Sequence, residues 1–285
     1  MLGSISISTP ILGIRRVASL SQSLCKYAGG KTYLAPAIVD HLLRLGDYGE
    51  YREPFAGGCS VGIEYLCQRP DTRVWFNDLD VGMVALMQTV AEKPDQLKQM
   101  VQEFEPSPAK FKRLRKQLLS PTPLTTIDRA FKTLAVQTLS FSGKGVMGGF
   151  WCSLDAPSWT RSNEWWPDYR CRVIDDIHPL FAAATISGYD FEYILNANAL
   201  LYCDPPYISN ERGTRLYRHI FTQDDHVRLM RCLKRLPNPN WLVSYDDRPE
   251  VRSLYRWATI RTIDTTHSIG KNQSHAAQEL LISRD

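Results

Sequence analysis

No apolar run in the chain approaches the roughly 18 residues that a membrane span requires, so the sequence predicts a soluble protein without a membrane partner. The seven cysteines (Cys25, Cys59, Cys67, Cys152, Cys171, Cys203 and Cys232) never form a C-x-x-C pair, and the six histidines never form H-E-x-x-H. That spacing gives no support to a structural zinc or a metal-dependent hydrolase, and no metal is expected. An odd, scattered cysteine set suits a reducing compartment. Gly30-Lys31-Thr32 has the ending of a P-loop, but Cys25 stands where that loop needs its first glycine, which disfavours an NTPase. Cys59 likewise stands where the second glycine of G-x-G-x-x-G falls if Gly57 is the first, which weakens the case for an NAD enzyme. Residues 1–22 contain no acid and faintly resemble a transit peptide, yet they have neither a hydrophobic h-region nor a small-residue cleavage site. A flexible N-terminal extension is expected there. No repeat or low-complexity tract appears.

What is present is an ordinary globular composition: 285 residues, 44% hydrophobic and 22% charged, enough for one large domain or one domain carrying an insertion. The formal net charge of +4 permits a polyanionic partner without requiring one. The most informative stretch is Asp204-Pro205-Pro206-Tyr207, directly after the apolar run Ala199-Leu200-Leu201-Tyr202-Cys203. Proline cannot donate to a sheet ladder, so the run reads as a buried strand with an acid at its carboxyl end. In open α/β sheets that edge is where ligands bind. Asp204 and a proline-held backbone carbonyl can each accept a hydrogen bond from an exocyclic amino group, and Tyr207 offers a flat face to a heterocycle. An Asp-Pro turn with a packed tyrosine is the plainer alternative.

Upstream, Lys26-Tyr27-Ala28-Gly29-Gly30-Lys31-Thr32 brings bare backbone and an ammonium together, either to meet an anionic group or simply to turn into the helix marked by Leu34, Ile38, Leu42 and Leu45. Residues 50–55 read as a strand, and Ala56-Gly57-Gly58-Cys59-Ser60 as a tight loop into a helix over 61–67, a nucleotide-binding start. A second strand over 73–77 ends at Asp78, about 20 residues beyond the glycines, where Rossmann-like folds carry the acid for ribose hydroxyls. Asp78 can instead cap the helix holding Val81, Val84 and Met87, and Asp80 competes for both roles, but the ribose role is the favoured one for Asp78.

Taken together and in order, the Lys26–Lys31 motif, Glu53-Pro54-Phe55-Ala56-Gly57-Gly58, Asn77-Asp78 and Asp204-Pro205-Pro206-Tyr207 resemble the Dam-type (D12 class) adenine-specific DNA methyltransferases over roughly residues 24–284. The resemblance implies an α/β, Rossmann-like methyltransferase fold, with a mostly parallel sheet, an antiparallel C-terminal edge and a helical target-recognition insertion. It implies S-adenosylmethionine as cofactor and a flipped-out adenine in double-stranded DNA as acceptor. Catalysis then belongs to Asp204, Pro205, Pro206 and Tyr207. The cofactor falls to Tyr27, Lys31, Glu53, Phe55, Ala56, Gly57, Gly58, Asp78, Asp190, Phe191 and Asp204. Asp190 also suits a helix cap on sequence alone. Two positions depart from the family pattern: Tyr27 stands where tryptophan is common, and Cys59 where a third glycine is usual.

The expected organisation is an extension over 1–22, a catalytic domain from 23–91 and 171–285, and an inserted DNA-binding domain over 92–170. Three helices are predicted in the insertion, from Leu97, Met100, Val101 and Phe104, from Phe111, Leu114 and Leu118, and from Ile127, Ala130, Phe131, Leu134 and Thr138. The middle one carries Lys110, Lys112, Arg113, Arg115 and Lys116, either a solvated face or a phosphate contact. The glycine-rich residues 141–151 suit a hairpin or loop that enters a groove, with Trp159, Trp165 and Trp166 either joining that surface or packing inside. Lys26, Lys144, Arg212, Arg215 and Arg218 are the expected DNA contacts. A capped helix after Thr222, a strand over 241–245 and a final pair over 258–265 and 279–283 complete the chain. The expected protein is cytoplasmic and DNA-associated, a monomer or weak dimer. An RNA-adenine or protein-glutamine methyltransferase, a nucleotide-dependent oxidoreductase and a silent DNA-binding relative remain the alternatives.

Overall fold

The computed structural model describes residues 23–150, 165–208, 219–268 and 274–284. Its centre is a seven-stranded sheet in the order β3-β2-β1-β4-β5-β7-β6. The strands are β1 (Glu50–Glu53), β2 (Arg73–Asn77), β3 (Thr185–Ser187), β4 (Leu200–Cys203), β5 (Trp241–Asp246), β6 (Thr259–Ser268) and β7 (Ser274–Ser283). β1 pairs in parallel with β2 and β4, β2 with β3, and β4 with β5, whereas β7 runs antiparallel to both β5 and β6. The expected mostly parallel sheet with an antiparallel edge is thus what the chain forms. The order reverses between β1 and β4, and the crevice outside the carboxyl ends of two such strands is where open α/β sheets take ligands.

Period-two alternation divides the core between the two faces of the sheet. Leu200 and Tyr202 of β4, Leu242 of β5 and Leu281 of β7 join one apolar cluster, while Leu201, Cys203, Trp241, Val243, Tyr245, Leu280 and Ile282 join the other. The first cluster is covered by α1 (Ala35–Arg44), α2 (Ser60–Gln68), α3 (Val81–Glu92) and α7 (Pro167–Ala182). The second is covered by α8 (Gln223–Arg235) and α9 (Pro249–Leu254). Helix starts follow local chemistry. Asp80 caps α3 by accepting from the Gly82 amide at 2.7 Å, and Thr222 and Asp225 form a capping box on α8.

Between α3 and α7 lie α4 (Pro94–Glu103), α5 (Pro108–Leu119) and α6 (Thr126–Leu139), the three helices expected from periodicity. Their apolar faces, including Leu97, Val101, Phe111, Leu114, Ala130 and Leu134, continue the first cluster without a break. Trp165 is buried edge-on against Phe104 and Phe131, whereas Trp166 is exposed. Trp159 lies outside the described residues. Among the described residues no helix is long and apolar enough to cross a membrane.

Candidate active site

The carboxyl ends of β1 and β4 open into one cleft. Its floor and walls include Tyr27, Lys31, Glu53, Phe55 through Gly58, Asp78, Asp190, Phe191, Asp204 and Pro206, so most of the residues singled out from sequence converge there.

On the β1 side, the chain leaves Glu53 and turns through Gly57 with φ +47, a left-handed conformation that glycine adopts without strain. A Cβ at Gly57 would sit 3.0 Å from the Tyr27 ring, so this glycine lets the Lys26–Thr32 segment close over the loop. Cys59 occupies the next left-handed position, φ 58, and caps α2. Its side chain is buried, with Sγ 3.5 Å from Met87 Sδ. The departure from a third glycine therefore strains the backbone locally while its thiol packs into the core.

Asn77 braces the same corner. Its Nδ2 donates to the Pro54 and Tyr189 carbonyls, each at 2.9 Å, and its Oδ1 accepts from Ser187 Oγ and the Tyr189 amide. One buried amide with every bond satisfied thus ties the ends of β1, β2 and β3 together. Asp78 next to it accepts from the Gly57 and Asp80 amides, both at 2.8 Å. Of the two acids Asp80 caps α3, and both Asp78 and Asp80 line the cleft. Burial pushes the Asp78 carboxyl up to about 6, against the two amides that lower it. Glu53 is buried, accepts from Tyr51 OH at 2.6 Å, and is pushed up to about 8 by burial.

The far wall is aromatic. Phe55, Phe191 and Phe221 stand with ring centroids 5.5 to 5.8 Å apart. Asp190 accepts from the Glu192 amide and also takes both prongs of Arg228, at 2.8 and 3.2 Å, while the guanidinium lies 4.3 Å from the centre of the Phe191 ring. Cap and cleft residue are one and the same here.

On the β4 side, Lys31 Nζ lies 2.8 Å from each Asp204 carboxylate oxygen, 2.9 Å from the Gly29 carbonyl and 3.3 Å from Glu279 Oε1. Ser244 Oγ donates to Asp204 at 2.9 Å and shares a hydrogen bond with Tyr202 OH. Tyr207 donates its hydroxyl to Glu279, and its ring centre lies 4.8 Å from Lys31 Nζ. Pro205 is buried. Glu279, on β7, is held above the usual carboxylate range by burial, Lys31 pulling it down and Asp204 adding to the rise.

A family model described as the D12 class N6 adenine-specific DNA methyltransferase matches residues 27–269. The chain belongs to this class. It is similar to the Retron Ec67 DNA adenine methylase of Escherichia coli, 24% identical over 269 residues that cover 91% of this chain and 90% of that protein. The chain is accordingly an N6 adenine-specific DNA methyltransferase that uses S-adenosylmethionine.

The methyltransferase's cleft suits that cofactor on charge as well as shape. Six acidic side chains (Glu53, Asp78, Asp80, Asp190, Asp204 and Asp225), of which burial holds Glu53 protonated near neutral pH, line it against two cations, Lys31 and Arg228, in a protein whose formal net charge is +4. A sulfonium cation is favoured inside such a cleft and a polyanion outside it. Glu279, Ser244, Phe221 and Arg228 carry no mark of a site role in the sequence. Glu279 and Ser244 lie on β7 and β5, and only strand pairing brings them to Asp204.

The expected DNA contacts are divided. Lys26 and Lys144 are half-buried near each other's segments, since the Ala28 amide donates to the Gly143 carbonyl at 3.1 Å and Gly143, at φ +66, leaves 3.0 Å between a Cβ and the Lys26 backbone. Residues 141–150 form two short 3-10 turns closed by one bridge between Ser140 and Phe150, so the segment is a compact loop instead of an extended hairpin. Arg115 is drawn from the basic face of α5 to the Val146 carbonyl at 2.7 Å, whereas Lys112, Arg113 and Lys116 stay exposed. Arg212, Arg215 and Arg218 lie outside the described residues, as does the expected extension over 1–22.

Proposed function

We propose that the methyltransferase acts on a flipped-out adenine in double-stranded DNA, with Asp204 as the residue that receives the base's amino group. The observation that carries this reading is the place of Asp204: at the end of β4, facing the glycine loop of β1, with its carboxylate fixed by Ser244 and Lys31. Such a carboxylate accepts one amino hydrogen and the Pro205 carbonyl accepts the other, which leaves the nitrogen lone pair directed away from both acceptors. Tyr207 stacks on the base, and Pro206 shapes the rim.

When bound, S-adenosylmethionine supplies a methyl group activated on a cationic sulfur. Tyr27 and the backbone of Phe55, Ala56, Gly57 and Gly58 hold its methionine half, with Glu53 ionising as a cationic group arrives. Asp78 accepts from the ribose hydroxyls, and Asp190 and Phe191 border the adenine. Lys31 orients the Asp204 carboxylate before the base arrives. Positioning and electrostatics then supply most of the rate, with no covalent enzyme intermediate. Residues 92–170 carry the DNA-reading surface, Lys144 included, and Lys26, Arg212, Arg215 and Arg218 add phosphate contacts from outside that stretch.

Methyl transfer from labelled cofactor to unmethylated DNA, followed by mapping of the modified adenines, tests the reading. Asp204→Ala is expected to lose turnover by about 10²-fold or more while keeping its fold. Wild-type turnover by that variant overturns the assignment.

A further inference from the structure

The Lys31 ammonium occupies the position that the proposed function gives to the substrate. It donates to the Asp204 carboxylate at 2.8 Å, as an adenine amino group would, and it lies 4.8 Å from the centre of the Tyr207 ring, over the face on which a base would stack. With Lys31 there, both the acceptor and the stacking surface are taken. A base can bind only if the ammonium has somewhere else to go, and a buried cation cannot simply be left without a counter-charge.

One group offers that alternative. Glu279 Oε1 lies 3.3 Å from Lys31 Nζ, on the strand beyond β5, and its side chain is 3% exposed. The same oxygen accepts the Tyr207 hydroxyl, so it already orients the ring. We propose that Glu279 is a positioning residue that receives the Lys31 ammonium when adenine reaches Asp204, and so clears the acceptor while holding Tyr207 in place. The proposal rests on the adenine-binding role given to Asp204 above.

In this arrangement Lys31 is a placeholder. It holds the Asp204 carboxylate in place between turnovers, and it moves a short distance along a carboxylate pair instead of out into solvent. Glu279 acts through Lys31 and Tyr207, without touching the reacting atoms.

The conservative change separates the two services of Glu279. Glu279→Gln keeps an oxygen for the Tyr207 hydroxyl and removes the charge that competes for Lys31. Its kcat for methylation is expected to fall about tenfold or more, with the cofactor Kd and melting temperature near wild type, and Glu279→Ala is expected to fall further because Tyr207 also loses its anchor. In a Lys31→Met background there is no ammonium to relocate, so adding Glu279→Gln should then cost much less than in wild type. A crystal structure of Glu279→Gln with a DNA oligonucleotide should find Lys31 still on Asp204.

Unchanged kcat in Glu279→Gln, with wild-type methylation intact, overturns the proposal and leaves the adenine assignment standing. Equal fold losses in the wild-type and Lys31→Met backgrounds also overturn it. A wild-type enzyme that methylates no DNA adenine overturns the assignment, and this proposal with it.

Discussion

Two ion clusters border the same cleft and use the same ingredients to different ends. At the β4 side one cation, Lys31, serves Asp204 and Glu279 with side chains 5%, 19% and 3% exposed. At the aromatic wall one cation, Arg228, serves Asp190 and reaches Asp225 and Glu192, with Arg228 39% and Asp190 36% exposed. The distances are alike, 2.8 Å for the closest contact in each. Burial is what differs. A desolvated cation cannot be removed without leaving carboxylates that water does not reach, whereas the Arg228 group is already largely screened by solvent. The first cluster therefore keeps its ammonium between two carboxylates and away from water, and the second can exchange its partners for a ligand at little cost.

The sharpest way to break that comparison is to remove each cation. Lys31→Met is expected to destabilise the protein by about 3 kcal/mol or more near neutral pH, since it strands Asp204 and Glu279 together. The loss should shrink in acid, because a carboxylate that takes up a proton no longer needs the ammonium. Urea denaturation of the variant and wild type at about pH 7.5 and about pH 5 checks both statements. Equal losses at the two pH values would mean that the carboxylates are not what Lys31 compensates.

Glu53 sharpens the contrast from the other direction, because it is a buried acid with no cation against it among the described residues. Its folded carboxyl titrates at about 8, raised from an ordinary 4.5 chiefly by burial. The folded state thus binds this proton more tightly than the unfolded chain does. Stability from the group is fully present below about pH 4.5 and is lost as pH rises through about 8. Glu53→Gln removes the dependence, so the cofactor-free wild type should lose a few kcal/mol relative to the variant between about pH 5 and about pH 9. Parallel stability curves would show that water or a cation reaches Glu53 after all. Addition of S-adenosylmethionine should narrow the gap if a cationic group of the cofactor seats beside it.

The two clusters also differ in how far they could be read from sequence. Lys31 and Asp204 stand beside glycines and prolines, which punctuate the chain and draw attention to their neighbours. Glu279 opens an apolar run, and Ser244 sits inside one, so neither carries a local mark. Their role comes from register: β7 returns antiparallel on β5, with Asp246 opposite Glu279 and Ser244 opposite Leu281, and pairing across 35 residues is invisible to periodicity. Asp190 is legible as either a cap or a ligand residue, and in the structure it is a cap that also lines the cleft. Arg228 was hidden on α8 among other basic residues of a solvated-looking face. Most strands were legible to within a few residues because their alternation and their terminal acids coincide; β6 and β7 run longer than the apolar pattern. Helix α7 was missed although Cys171, Ile174, Ile177 and Phe181 are all buried at helical spacing, since Pro179 inside it reads as a breaker.

Arg228→Ala is the smallest change and the one that decides whether burial is the right explanation. The guanidinium has several acidic neighbours, so a count of contacts alone would rank it above Lys31. Screening argues otherwise: half-exposed pairs contribute roughly 0–1 kcal/mol, and Asp190 keeps the Glu192 amide when the arginine is gone. The variant should therefore unfold within about 1 kcal/mol of wild type, while its cofactor affinity shifts, because Arg228 also covers the Phe191 ring that borders the cleft. Calorimetric titration with S-adenosylmethionine beside urea denaturation separates the two effects. A stability loss as large as that of Lys31→Met would show that the wall is as desolvated as the floor, and the distinction between a buried and a solvent-screened cluster would fall.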